Sequence, residues 1–187
     1  KKIFYSNPLK LLKEKNIDIV FECIGLTDGI SKKVVETALK NKMHVITPNK
    51  ALIAKHGDYL ANLAEKNNVN LEFEASVAGG IPILRSIKEG LSTNQIKKVY
   101  GILNGTTNYI LSEMERTSEN FDKVLKKAQT YGYAEPGNPK LDLNGSDAFS
   151  KVRILSALAF NNQISKYKCI MEGIENIELK DIKITNQ

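Results

Sequence analysis

Apolar residues in the first part of the chain follow two different spacings in turn. Three short runs have strand spacing and end at a loop, and they cover Ile17–Cys23, His44–Thr47 and Val69–Glu74. Between these runs, apolar residues recur at helical spacing over about 30–39 and 51–65. This alternation of strand and helix with short connections is typical of parallel β-α-β units. In such sheets, ligands bind at the carboxyl ends of the strands.

Three loops follow the predicted strands, at residues 24–26, 48–50 and 76–80. Lys50 comes directly after a strand end, where its ammonium could meet a phosphate, a nicotinamide or a substrate. It could also be an ordinary residue of a helix start, although the helix dipole disfavours a cation there. Neither G-x-G-x-x-G nor a P-loop occurs in the sequence. Either this region binds no nucleotide or the sequence opens after the first strand and helix of such a fold, and the abrupt opening favours the second interpretation.

The pattern changes after the Gly79-Gly80 pair. Helical spacing and turn residues predict an α+β region with its boundary near residue 80. The predicted helices cover about 82–89, 108–116 and 121–131, and the predicted strands cover 96–103 and 167–170.

A short stretch of the second region concentrates charged residues. Glu135 and Asp142 lie on a loop, 135–145, that its proline and glycine residues are expected to keep out of regular structure. A helix then begins near Asp147, with Ser146 or Asn144 as its cap. On this helix Asp147 and Lys151 head a row that continues with apolar residues, so we expect both charges to be half-buried.

Two interpretations of the Asp147–Lys151 pair remain open. An ordinary i,i+4 surface ion pair would contribute only about 0.2–0.5 kcal/mol to stability. The apolar row below the pair and the two further carboxylates on the loop favour a site for a cationic, polar substrate.

Composition excludes several classes of protein. The 187 residues are 42% apolar and 26% charged, with no apolar run near the ~20 residues of a membrane span and no visible signal peptide. Two cysteines are too few for a disulfide framework, which favours a cytoplasmic protein. The net charge of +6 comes mainly from scattered lysines, and no nucleic-acid motif is present. A solvated basic surface is therefore favoured over nucleic-acid binding.

Four stretches together resemble the homoserine dehydrogenase family, in the order found there. They are Val45–Leu52 with Thr47-Pro-Asn-Lys50, Glu74–Pro82 with Gly79-Gly80, Gly101–Tyr109 with Asn104-Gly-Thr-Thr107, and Gly132–Lys151 with Gly-Tyr-Ala-Glu-Pro136. The resemblance implies an α/β fold, in which a truncated Rossmann-like parallel β-α-β region (residues 1–80) precedes an α+β substrate and dimerisation domain (residues 81–187). It implies interconversion of L-homoserine and L-aspartate 4-semialdehyde with NAD or NADP, in threonine, methionine and isoleucine biosynthesis.

The resemblance also implies roles for individual residues. Lys151 would handle the proton at the reacting oxygen, with Lys50 near cofactor and substrate. Substrate binding is implied for Glu135 and Asp147, with support from Asp142, and cofactor binding for Gly25 and Gly132 as well as Lys50. The implied sodium ligands are Glu74, Val77, Gly79 and Ile81.

A homodimer without membrane or nucleic-acid partners completes the implied picture. Because the glycine fingerprint and the C-terminal segment of the family are absent, we expect an incomplete catalytic unit that is inactive alone. A non-catalytic nucleotide-binding or regulatory module is the alternative, and the sequence does not distinguish NAD from NADP.

Overall fold

A computed structural model describes residues 4–14, 16–137, 139–164 and 169–185. Its sheet has three parallel strands in the order β1-β2-β3, with β1 at Ile19–Phe21, β2 at His44–Ile46 and β3 at Leu71–Glu72. Val20 pairs with Val45, which in turn pairs with Leu71. The predicted parallel β-α-β region is confirmed, with strands shorter than the sequence pattern indicated.

Helices make up most of the remaining described structure. They are α1 (Pro8–Leu11), α2 (Ile30–Lys40), α3 (Lys50–Asn67), α4 (Ile83–Arg85), α5 (Gly105–Thr117), α6 (Phe121–Thr130), α7 (Lys140–Leu143), α8 (Ser146–Ala159) and α9 (Leu179–Thr185). A 3₁₀ turn at Glu74–Ser76 follows β3, and a π-helical turn at Ser86–Gly90 continues α4. Within the described ranges, no helix is both long and apolar enough to cross a membrane.

The chain forms two compact units. The first unit comprises residues 1–99 and 153–167, and the second comprises residues 100–152 and 168–187. The core of the first unit includes Val35 and Leu39 of α2, Val45 of β2 and Leu52 of α3, all fully buried. The core of the second unit consists of Ile110, Met114, Val124, Ala128, Ala134 and Leu143. The boundary near residue 80, which concerns cofactor and substrate regions, stays a prediction.

One strand predicted for the second region is wrong, and another lies partly outside the described residues. Residues 96–103 form no strand, because no segment of the described chain provides the hydrogen-bonded neighbour that a strand needs. Their apolar side chains Val99, Tyr100 and Ile102 are exposed. Of the predicted strand at 167–170, only residues 169 and 170 are described, and they form none.

The acidic loop is also more regular than predicted. Residues 140–143 form the short helix α7 inside the stretch expected to be irregular. Pro139 has the φ of −76° that suits the start of a helix, and the side chain of Leu143 is buried in the second core. Proline was therefore a helix-start signal at this position.

Candidate active site

An ion pair in the first turns of α8 forms the centre of the second unit's polar cluster. Lys151 Nζ lies 2.6 Å from Asp147 Oδ2, and the two side chains are 19% and 9% exposed. The same Nζ donates a hydrogen bond of 2.7 Å to the carbonyl oxygen of Leu103. The expected half-buried position of the pair is confirmed, and these two contacts use two of the three N–H bonds of the ammonium.

Asn104 joins the two carboxylates of the cluster. Its Nδ2 donates to Asp142 Oδ1 at 2.8 Å and to Asp147 Oδ2 at 3.0 Å, so both amide protons are used. Its Oδ1 accepts the backbone N–H of Thr107 at 2.8 Å and thereby caps α5. One buried side chain therefore fixes the start of a helix and the distance between two like charges.

Thr106 holds the other oxygen of Asp142. Its hydroxyl lies 3.0 Å from Asp142 Oδ2 and 2.7 Å from the carbonyl oxygen of Tyr133. A hydroxyl has a single proton, and the Tyr133 carbonyl and an ionised carboxylate are both acceptors. The hydroxyl can therefore donate to only one of them at a time. Of the two short distances, to Asp142 and to the Tyr133 carbonyl, only one is a hydrogen bond at any moment.

The turn before α8 explains how Asp147 reaches this cluster. Gly145 has a φ of +84°, and a Cβ there would come within 2.9 Å of the Glu172 carbonyl oxygen. Both the backbone conformation and the close approach therefore require glycine. Asn144 Oδ1 accepts the N–H of Ser146 at 3.0 Å, which orients the first turn of the helix.

Glu135 and Gly132 lie on the exposed segment that follows α6. Gly132 has a φ of +77°, and its N–H donates to the carbonyl oxygen of Gln129 as the helix ends. The Glu135 side chain is exposed, while its carbonyl oxygen accepts from Gln129 Nε2 at 3.3 Å. The ion pair and the hydrogen bonds of Asn104 thus join Asp142, Asp147 and Lys151, whereas the Glu135 side chain lies exposed on its own segment.

Lys50 and Gly25 belong to the first unit, at the carboxyl ends of its strands. Lys50 is the first residue of α3, which Asn49 caps by accepting the N–H of Leu52 at 3.1 Å. Gly25 is exposed with a φ of +84°, and a Cβ there would meet nothing within 4 Å. Both predicted positions therefore lie at the ligand-binding edge typical of parallel sheets.

A carboxylate that the sequence analysis did not select lies beneath this edge. Glu22, directly after β1, is 1% exposed. Its burial raises the pKa of the carboxyl, but hydrogen bonds from Thr47, Ile24, Ser31 and Gly25 outweigh this effect and hold the pKa below its usual value. Glu22 is therefore an ionised group held by neutral donors.

The predicted sodium loop has an unusual backbone. Ala78 and Gly79 both have positive φ, at 60° and 56°. The carboxylate of Glu74 accepts the N–H groups of Leu84 at 3.0 Å and Arg85 at 2.9 Å, and so caps α4. The Ile81 carbonyl accepts from the N–H of Ile83 at 2.8 Å. In the described part of the chain no group of three or more His, Cys, Asp and Glu side chains could hold a metal ion, so a cation here would depend on carbonyl oxygens.

Sequence reasoning missed Asn104, Thr106 and Glu22 as site residues. Asn104 and Thr106 precede the helix predicted at 108–116, and a cap there uses only the oxygen of an asparagine amide and leaves its nitrogen for another partner. Glu22 lies within the strand predicted at Ile17–Cys23, where its spacing does not distinguish it from its neighbours. In each case the sequence feature that could have indicated a site residue was a polar or acidic residue at a strand end or a helix start.

Comparisons with known proteins identify both regions of the chain. Residues 4–74 match the family model described as "Homoserine dehydrogenase, NAD binding domain", and residues 82–187 match the model "Homoserine dehydrogenase". The homoserine dehydrogenase of Neisseria gonorrhoeae is 46% identical over 184 residues, which is 98% of this chain and 42% of that protein. That of Bacillus subtilis is 39% identical over 187 residues, covering 100% of this chain and 43% of that protein.

Solved structures agree with these relatives. The homoserine dehydrogenase of Thiobacillus denitrificans matches with a TM-score of 0.92 and 42% identity, over 97% of this chain and 42% of that one. A hyperthermophilic archaeal homoserine dehydrogenase in complex with NADPH matches with a TM-score of 0.82 and 27% identity, over 94% and 53%. The chain spans less than half the length of the relatives that it matches first. With its two halves matched by both parts of one family, the chain belongs to the homoserine dehydrogenases.

Proposed function

We propose that the full-length protein containing this chain interconverts L-homoserine and L-aspartate 4-semialdehyde with NAD or NADP, in threonine, methionine and isoleucine biosynthesis. The observation that carries this proposal is the buried Asp147–Lys151 pair held by Asn104 in a chain of this family. The cofactor region would be residues 1–80 and the substrate region residues 81–187. The two family models support this division, since one ends at residue 74 and the other begins at residue 82.

Lys151 is the residue that we assign to the proton of the reacting oxygen. Two of its three N–H bonds point to Asp147 and to the Leu103 carbonyl, which leaves the third for a substrate oxygen. In the reductive direction the ammonium donates this proton as the aldehyde oxygen becomes a hydroxyl. In the oxidative direction the amine accepts the hydroxyl proton. The fixed contacts hold Nζ in place while the proton moves.

The ammonium of the substrate requires carboxylates, and we assign Asp147 and Glu135 to it, with Asp142 in support. Asn104 donates to both Asp147 and Asp142, so the positions of the two carboxylates are set before substrate binds. Glu135 lies on an exposed segment, and its carboxylate would reach the ammonium only in the complex.

A nicotinamide dinucleotide supplies the hydride chemistry when it is bound. The match of residues 4–74 to an NAD-binding domain and the NADPH complex of a structural relative support this cofactor. In this chain Lys50, Gly25 and Gly132 would contact it, and Lys50 would also lie near the substrate. The open space around Gly25 fits the approach of a ligand, whereas no glycine-rich phosphate turn occurs in the sequence.

The loop from Glu74 to Ile81 is the proposed sodium site. Its consecutive positive φ values turn backbone carbonyls in a way that regular structure does not, and the assigned ligands are Glu74, Val77, Gly79 and Ile81. Replacement of sodium by choline at constant ionic strength should lower the activity or the thermal stability of the full-length protein. Equal values in both salts would contradict the assignment.

We further propose that the full-length protein is a cytoplasmic homodimer.

The decisive experiment is a turnover assay on the purified full-length protein. We expect oxidation of homoserine with NAD or NADP and reduction of aspartate 4-semialdehyde with the reduced cofactor. A non-catalytic module would bind the dinucleotide without turnover in either direction. Salt-sensitive binding to random DNA, without dinucleotide binding, would instead support a nucleic-acid-binding protein.

A further inference from the structure

The carboxylate of Glu22 organises both loops at the ligand-binding edge of the first unit. Its Oε1 accepts the N–H of Ile24 at 2.8 Å and that of Gly25 at 3.3 Å. Its Oε2 accepts the hydroxyl of Thr47 at 2.7 Å. The side chain is thus bonded directly to the loop after β1 and to the residue that follows β2.

Two buried hydroxyls extend this control to further backbone groups. Thr47 Oγ1, which donates to Glu22, accepts the N–H of Asn49 at 3.0 Å. Ser31 Oγ accepts the N–H of Leu26 at 3.1 Å and also hydrogen-bonds the Glu22 carboxylate. Because each hydroxyl has one proton, an ionised carboxylate forces both to donate towards it and to accept from the backbone.

Asn49 closes the network between the two loops. Its Nδ2 donates to the Leu26 carbonyl oxygen at 2.8 Å, and its Oδ1 caps α3, whose first residue is Lys50. Glu22, Ser31, Thr47 and Asn49 are all buried. We call these four residues the edge network. They set the backbone of the loop that carries Gly25 and the start of the helix that carries Lys50.

Burying the Glu22 carboxylate costs desolvation free energy, whereas an apolar residue at the end of β1 would bury no charge. Stability alone therefore does not explain a carboxylate at this position. The carboxylate accepts the N–H groups of Ile24 and Gly25, and Ser31 Oγ accepts that of Leu26. These backbone donors, which a loop at a strand end commonly offers to phosphate, therefore hold the loop in place here. We propose that Glu22 is a positioning residue for the nicotinamide dinucleotide, which it serves by fixing these loops rather than by touching the ligand. This inference rests on the proposed function.

The test compares dinucleotide binding in variants of the full-length protein by titration with NADPH, followed by its fluorescence. Glu22→Gln keeps the size of the side chain but replaces one acceptor oxygen with an NH₂ group, so Thr47 or the loop amides lose their partner. We expect NADPH binding to weaken about tenfold, the equivalent of one hydrogen bond to a charged group. The Michaelis constant for homoserine should change much less.

Thr47 provides a second pair of variants in case Glu22→Gln does not fold. Thr47→Val removes the hydroxyl at nearly constant volume and should weaken NADPH binding, whereas Thr47→Ser keeps the hydroxyl and should restore it. Asn41→Ala is the matched control. It removes a 2.8 Å hydrogen bond to the Leu12 carbonyl ahead of β2, away from the carboxyl edge, and should lower stability without changing NADPH binding.

The outcomes separate this inference from the proposed function. If the wild type binds NADPH and turns over, but Glu22→Gln and Thr47→Val bind NADPH as it does, Glu22 is only structural and the inference is overturned. If Thr47→Val and Thr47→Ser weaken binding equally, the hydroxyl network is not the cause and the inference fails as well. If the wild type binds no dinucleotide, the proposed function fails and takes the inference with it.

Discussion

Each of the two compact units buries a carboxylate, and the two carboxylates have different kinds of partner. Glu22 in the first unit accepts from backbone N–H groups and hydroxyls. Asp147 in the second unit lies 2.6 Å from the ammonium of Lys151 and accepts from the amide of Asn104. Neutral donors surround the first charge, and the second faces an ammonium as well as an amide.

We propose that this difference separates a network that positions loops from a site that takes part in the reaction. Amides and hydroxyls keep their protons throughout the physiological pH range, so the network around Glu22 has a single protonation state and holds its loops in one arrangement. The role proposed for Lys151 requires its ammonium to give up and regain a proton, so the charge at this site must change during the reaction. We therefore expect changes near Glu22 to alter binding and changes near Lys151 to alter turnover.

The largest expected effect follows from removing the ammonium of Lys151. Lys151→Ala in the full-length protein should lower kcat by ~10²–10⁴, the usual contribution of a positioned acid or base. Its effect on the Michaelis constant for homoserine should be smaller, and NADPH binding should hardly change. Steady-state kinetics with titration of NADPH measures all three.

A matched control uses an exposed lysine of the same unit. Lys126→Ala, on the exposed face of α6, removes a cation of the same kind without touching the polar cluster and should stay fully active. Near-wild-type turnover of Lys151→Ala would instead mean that the pair is a structural ion pair, and the contrast between the two units would be lost.

The next effect concerns the carboxylate of the pair. Asp147→Ala should lower kcat and raise the Michaelis constant for homoserine, because it removes a carboxylate assigned to the substrate ammonium and releases Lys151 Nζ from one of its two contacts. The exposed i,i+4 pair of Arg85 and Glu89 offers the comparison, since Glu89→Ala breaks an ion pair of the same spacing on the surface. An Asp147→Ala variant with unchanged Michaelis constant would remove Asp147 from substrate binding.

A smaller and more informative effect is expected at Asn104. Asn104→Asp keeps an oxygen that can cap α5, but it replaces the amide donor with a third carboxylate facing Asp142 and Asp147. Asn104→Ala loses the cap, worth about 1 kcal/mol, together with both donors. If charge separation is the main role, Asn104→Asp should be the less stable of the two, by about 1–2 kcal/mol in the free energy of unfolding. Urea denaturation measures this order, and the reverse order would make Asn104 a capping residue above all.

Local sequence patterns predicted much of the fold but only part of the candidate site. The β-α-β order and the half-buried Asp147–Lys151 pair are properties of spacing, which the sequence displays directly. The strand predicted at 96–103 depended on a neighbouring strand, and α7 depended on the burial of Leu143, both of which are long-range facts.

Asn104 and Glu22, the central residues of the two networks, could not be predicted from the sequence, and the reason is the same for both. Asn104 joins residues 38 and 43 positions away, and Glu22 joins a hydroxyl 25 positions away. A side chain whose partners are that distant has no spacing signal, because only the folded chain brings the partners together. Resemblance to a family can indicate which stretches matter, but it does not indicate which atoms are joined.

The smallest expected effect sharpens the comparison with a third carboxylate. Glu119 also pairs with lysines, at 2.6 Å from Lys123 Nζ and in contact with Lys127, and hydrogen bonds from these two lysines lower its pKa from 4.5 to about 2. A carboxyl whose pKa is lower in the folded state contributes stability above pH 4.5 and loses that contribution as the pH falls towards about 2. The difference in unfolding free energy between the wild type and Glu119→Gln should therefore be constant near neutral pH and shrink through this window. It should also shrink with added salt, because the cluster lies at the surface.

Urea denaturation at a series of pH values measures this difference, and turnover should be the same in both proteins at neutral pH. A loss of turnover in Glu119→Gln would show that a carboxylate–lysine pair outside the polar cluster also affects catalysis. A difference in unfolding free energy that does not vary with pH would mean that the two lysines do not stabilise the ionised Glu119.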